Sequence, residues 1–104
     1  MAERYIAVLI IEVVEDINEA TNYYDGLLPG LAERYKNEIF IQIEEISSWP
    51  FARKVRFNNV RFANRKSFPY ALHYYVSEEP LTNVIKIIGV YSHHIDSRKW
   101  VTRK

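Results

Sequence analysis

The 104-residue chain has no cysteine. That absence excludes disulfides, thiol catalysis and thiolate metal sites, and it fits an intracellular protein. Only three glycines occur, too dispersed to form a phosphate-cradling loop. No run of about eighteen apolar residues is present, so no segment reads as membrane-spanning. The apolar stretch Tyr5-Ile6-Ala7-Val8-Leu9-Ile10-Ile11 follows Glu3-Arg4 and leads into Glu12, with no small-residue cleavage site. Its β-branched and aromatic content reads as a buried strand, not a signal peptide. Repeats, linkers and low-complexity segments are also missing.

One further absence is local. Residues 46–77 hold no Asp or Glu, yet they hold Arg53, Lys54, Arg56, Arg61, Arg65 and Lys66, a net of +6. Residues 1–45 carry ten acids and three bases, a net of −7, and residues 78–104 carry three acids and five bases, a net of +2. The near-neutral total therefore conceals an acidic half and a basic half. Such asymmetry points to a surface that meets an anion or an acidic partner, with a merely solvated basic face as the plain alternative.

Hydrophobic residues make up 48% of the chain, enough for a real core, and the length fits one domain over residues 1–104. After the strand at 5–11 the apolar period changes. Val13, Ile17, Ala20 and Tyr24 fall on one face of a helix, predicted over 12–25, with Glu12, Glu15, Asp16 and Glu19 at its positive end and Gly26 as its stop. Leu31, Tyr35, Ile39, Ile43 and Ile46 form the stripe of a second helix, predicted over 30–47 and ended by Pro50. Two such helices with a short link form a helical hairpin. Strands follow: Val55 and Phe57 alternate with polar residues, Asn58-Asn59 can make a two-residue turn, and Val60 and Phe62 continue the alternation. Tyr70 to Ser77 and Val84 to Tyr91 complete the set, the last apolar enough for burial on both faces. The expected fold is α+β: an N-terminal strand, then a helical hairpin packed on one face of a small antiparallel sheet, with the other face free.

Arg61, followed by Ser67-Phe68-Pro69-Tyr70-Ala71-Leu72-His73-Tyr74, resembles the RelE/ParE superfamily of bacterial toxins. The likeness extends to Ala20-Thr21-Asn22-Tyr23-Tyr24, Pro29-Gly30-Leu31-Ala32-Glu33-Arg34-Tyr35, Asn59-Val60-Arg61, Gly89-Val90-Tyr91 and Asp96 with Trp100. It spans essentially the whole chain, and its tyrosine-rich first helix looks closer to the ParE-like, plasmid-stabilisation side. The resemblance implies a hairpin-on-sheet fold and a cytoplasmic toxin of a type II toxin–antitoxin pair, neutralised by a cognate antitoxin. It implies either inhibition of a host target such as DNA gyrase, or ribosome-dependent mRNA cleavage, or a homologue that has lost activity. No cofactor and no metal are implied.

Metal-free RNA cleavage needs a base, an acid and cations for the phosphate. Strand periodicity puts Arg61 with Arg65, and His73 with Tyr75, on single faces of adjacent strands. If those faces coincide, the four form a candidate catalytic set. Otherwise the arginines pair with antitoxin carboxylates, and His73 and Tyr75 pack against antitoxin side chains. The expected partner-binding residues are Arg53, Lys54, Arg56, Arg61, Arg65, Lys66, His93 and Arg98. The chain departs from the nuclease pattern at Ala71 and Ile95, where RelE-like relatives carry arginine, and this favours the binding inhibitor. His93-His94 are neighbours on an extended strand, so they point apart and share a metal poorly. Of the tyrosines, Tyr24 and Tyr35 read as core, and Tyr75 and Tyr91 as candidates for an open surface.

Overall fold

The computed structural model describes residues 5–64, 68–78 and 83–92. Strand β1 (Ile6–Leu9) precedes helices α1 (Ile11–Asp25) and α2 (Leu31–Ser48), followed by β2 (Val55–Phe57), β3 (Val60–Asn64), β4 (Tyr70–Glu78) and β5 (Asn83–Ser92). The sheet order is β1-β5-β4-β3-β2. The expected α+β architecture is present: an N-terminal strand and a helical hairpin packed on a small sheet.

The sheet departs from the expectation in one respect. Strands β2 to β5 pair antiparallel, but β1 joins β5 in parallel, with Ile6 opposite Val84 and Leu9 opposite Ile87. β5 is thereby flanked on both edges along its first half, and it is buried on both faces from Ile87 to Tyr91. Past the end of β1, the Val90 N–H donates to the Asp16 carboxylate of α1 at 3.3 Å. A helix side chain thus satisfies a strand donor that would otherwise cost free energy.

Local chemistry explains the element ends. α1 stops at Gly26, whose N–H returns to the Asn22 carbonyl. Gly26 stays in the right-handed region; the left-handed residue is Gly30, at φ +83 in front of α2, where a side chain would be strained. α2 ends one residue before Trp49, whose position ahead of Pro50 disfavours helical geometry. Asn58 and Asn59 both take positive φ, 48° and 64°, which is what the tight twist of a two-residue hairpin requires.

The core lies between the hairpin and one sheet face. α1 gives Val13, α2 gives Tyr35, Ile39 and Ile46, and the sheet gives Ala63, Leu72, Tyr74, Ile85, Ile87 and Val90. Ile17, Tyr24 and Ile43, expected as buried, are half-buried at its margin. Tyr24, Tyr35, Phe68 and Tyr70 meet ring to ring with centroids 5.0 to 5.7 Å apart, in the tilted and edge-on arrangements that aromatic quadrupoles favour. Burial pushes the Tyr35 phenol far above its ordinary range, and Tyr70, Tyr24 and Asp16 add to the shift.

Candidate partner-binding surface

Register decides which side chains share a face. Arg61 stands opposite Tyr74, and Ala63 opposite Leu72. Tyr74, Ala63 and Leu72 belong to the core under the helices. Arg61 is therefore on the helix face of the sheet. Phe62 stands opposite His73, and His73 opposite Gly89. These lie on the opposite face, together with Tyr75, which pairs with Lys86.

This separates the expected catalytic set. Arg61 cannot share a phosphate with His73 and Tyr75 through a β-sheet. Its guanidinium is also engaged: it donates to the Arg53 carbonyl and sits 5.2 Å from the Phe51 ring centroid. The Arg53 guanidinium in turn lies 3.6 Å from the Glu45 carboxylate. Tyr74 donates its hydroxyl to the Pro50 carbonyl at 2.9 Å. Burial raises the Tyr74 pKa, while neighbouring Arg53 and Arg61 pull it the other way. Together these contacts tie the chain between α2 and β2 to the sheet.

His73 is not on an open face. It is 0% exposed, with its ring stacked on Phe62 at 3.8 Å and 9°, and Tyr91 edge-on at 4.8 Å. Phe57 meets Phe62 at 5.8 Å, and the Arg56 guanidinium lies 4.8 Å from the Phe62 centroid. Tyr91, expected as a surface candidate, is buried. Its ring lies across Gly89, where an added Cβ would come within 2.1 Å of Tyr91 Cε2. A glycine at that position lets the tyrosine fold back along its own strand and reach His73. Ala71 is buried on the same face, so this position holds a small apolar group.

Among the expected partner-binding residues, Lys54 and Arg56 are exposed, and Arg53 and Arg61 are half-buried. All four belong to the link after α2 and the β2–β3 hairpin, which is one edge of the sheet. They can present cationic donors to carboxylates or phosphates. Arg65, Lys66, His93 and Arg98 lie outside the described residues, as do His94 and Ile95. Among the described residues, no three His, Asp or Glu side chains come together as a metal ion would need. No helix described is long and apolar enough to cross a membrane.

Two features escaped sequence reasoning. Gln42 is wholly buried in α2; Tyr70 donates to its carbonyl oxygen at 2.8 Å, and its amide donates to the Asn64 carbonyl at 3.3 Å. Nothing local marks a glutamine as buried. Phe40, Ile41 and Trp49 form an apolar groove on the outside of α2. Their signal was present, since Phe40 and Ile41 fall off the stripe of Tyr35, Ile39, Ile43 and Ile46. Neither a protein-family model nor a curated protein matches the chain.

Proposed function

We propose that this chain is the toxin of a type II toxin–antitoxin pair, acting in the cytoplasm by binding a host target such as DNA gyrase. A cognate antitoxin neutralises it. The RelE/ParE resemblance supplies the class, and the hairpin-on-sheet fold agrees with it. The choice of binding over cleavage rests on one observation. Arg61 and His73 lie on opposite faces of the sheet, the first engaged by Arg53 and Phe51, the second enclosed by rings. Cleavage needs its acid, base and phosphate cation within reach of one bond. The exposed Lys54 and Arg56 suit a carboxylate-bearing antitoxin segment, whose attachment should weaken with salt.

The test uses antitoxin-free protein in one preparation. Gyrase supercoiling and the integrity of ribosome-bound mRNA are measured side by side. Impaired supercoiling with intact mRNA is the expected result. Cleaved mRNA with unimpaired gyrase returns the reading to the ribonuclease class. Neither effect identifies a homologue without toxicity and removes the proposal.

A further inference from the structure

We infer that the outer face of the C-terminal half of α2 is a docking site for a basic amphipathic helix of a partner polypeptide. α2 already spends one apolar face on the core through Tyr35, Ile39 and Ile46. Yet Phe40 is 66% exposed, Ile41 45% and Trp49 67%. They are not scattered. With Glu44, Glu45 and Ser48 they line one shallow groove of about 350 Å³. A patch of large apolar side chains rimmed by polar ones marks an interaction site more often than a solvated face.

The groove's shape and charge narrow the occupant. From Phe40 to Trp49 it follows the helix for about 14 Å, given a rise of roughly 1.5 Å per residue. That length fits a second helix laid alongside, inserting side chains at i, i+3 or i+4, and i+7. The charged groups of the lining are Glu44 and Glu45, the latter also facing Arg53. The surrounding hairpin, residues 11–48, carries nine acids against two bases, a net of −7. This field repels nucleic acid and anionic lipid and attracts lysine and arginine. A second copy of this chain fits poorly, because two-fold pairing would set Glu44 and Glu45 against their own equivalents. The inference does not depend on the toxin reading; the groove abuts the basic edge described above, meeting it at the Glu45–Arg53 pair, but the charged side chains of its own lining are acidic.

The probe is a designed Leu/Lys amphipathic peptide, with its Leu/Glu counterpart as the charge control. The reporter is Trp49 emission, identified against the Trp49→Phe variant because the chain has a second tryptophan. The Leu/Lys peptide should shift that emission and bind at least about tenfold tighter than the Leu/Glu peptide, a gap of about 1.4 kcal/mol. Added salt and Glu44→Lys should each weaken it. Phe40→Ser and Ile41→Ser should abolish binding with folding intact, since both side chains are exposed. These variants keep the charge, so retained binding in both would show general electrostatic attraction and overturn the inference. Equal or tighter binding of the Leu/Glu peptide would overturn it too, as would absence of binding. Concentration-dependent self-association lost in Phe40→Ser would instead assign the groove to a second copy.

Discussion

The two faces of the sheet bury polar groups by different means. On the helix face, Gln42, Tyr70 and Tyr74 are joined to named partners by directional hydrogen bonds that tie α2 and the link after it to β3 and β4. On the opposite face, His73 is enclosed by a stack running across three strands, from Phe62 through His73 to Tyr91 over Gly89. The first arrangement fixes layers relative to one another. The second fixes neighbouring strands. The faces also divide the cations, Arg61 to the first and Arg56, through its place over Phe62, to the second. The separation of Arg61 from His73 across the sheet carries the preference for binding over catalysis.

The largest expected effect tests the helix face as the main source of stability. Leu72 is fully buried there, and Leu72→Ala should cost about 2–5 kcal/mol in denaturant unfolding. The opposite face has its sharpest constraint at Gly89. Gly89→Ala forces a methyl into the Tyr91 ring, and overpacking of this kind costs about 1–3 kcal/mol. The interpretation is checked by a double-mutant cycle. In a Tyr91→Ala background the same change should cost much less, because the ring it strikes is gone. Additive costs would mean that the glycine serves something other than the ring.

Gln42→Ala should cost about 1–3 kcal/mol, because it removes the hydrogen bonds that Gln42 makes to the Tyr70 hydroxyl and the Asn64 carbonyl. Tyr70→Phe in the same background should restore part of the loss by removing the hydroxyl that Gln42 served. If Gln42→Ala alone is neutral, the hydrogen bonds do not tie the layers.

These faces show where sequence reasoning succeeded and stopped. Apolar stripes located both helices to within a residue or two, because a 3.6-residue period over four or five turns has few rivals. The Asn58-Asn59 turn was legible because few residues accept positive φ. Period two correctly grouped His73 with Tyr75, but it describes one strand at a time. Whether Arg61 joins them depends on the β3–β4 register, which sets Arg61 opposite Tyr74 and is specified by contacts far apart in sequence. The bulge between His73 and Tyr74, with Ile88 as the extra residue of β5, is likewise invisible locally. So is the parallel pairing of β1. The burial of His73 and Tyr91 follows from glycine at 89 and a ring two residues on, a pair whose meaning appears only once the strand is drawn.

An alkaline titration tests the helix face by another route. The Tyr35 phenol has its pKa raised on folding, chiefly by burial. A raised folded pKa gives a contribution that is complete below the unfolded value near 10 and is lost as pH rises toward the folded one. Stability should therefore decline above about pH 10, by up to about 1.4 kcal/mol per pH unit for each such proton. Tyr35→Phe should flatten the decline, leaving Tyr74 and Tyr24, whose phenols burial also pushes up, to contribute what remains. An unchanged slope would show that Tyr35 ionises equally readily in the folded protein.

The smallest effect on stability should belong to the exposed cations of the basic edge. Arg56 is exposed and touches Phe62 through a cation–π contact, worth about 0.5–1 kcal/mol at such a site. Arg56→Ala should therefore unfold at nearly the same denaturant concentration as the parent. Arg61→Ala is a poorer probe than an open-face position would have made it, because it also frees the Arg53 carbonyl and the Phe51 ring that hold the link after α2. If the basic edge receives the antitoxin, Arg56→Ala and Lys54→Ala should weaken the complex and reduce its salt sensitivity while leaving unfolding almost untouched. Arg61→Ala should instead change both measurements. A complex indifferent to Arg56 and Lys54 but weakened by Phe40→Ser would move the partner to the acidic hairpin, and the two charged halves of the chain would exchange roles.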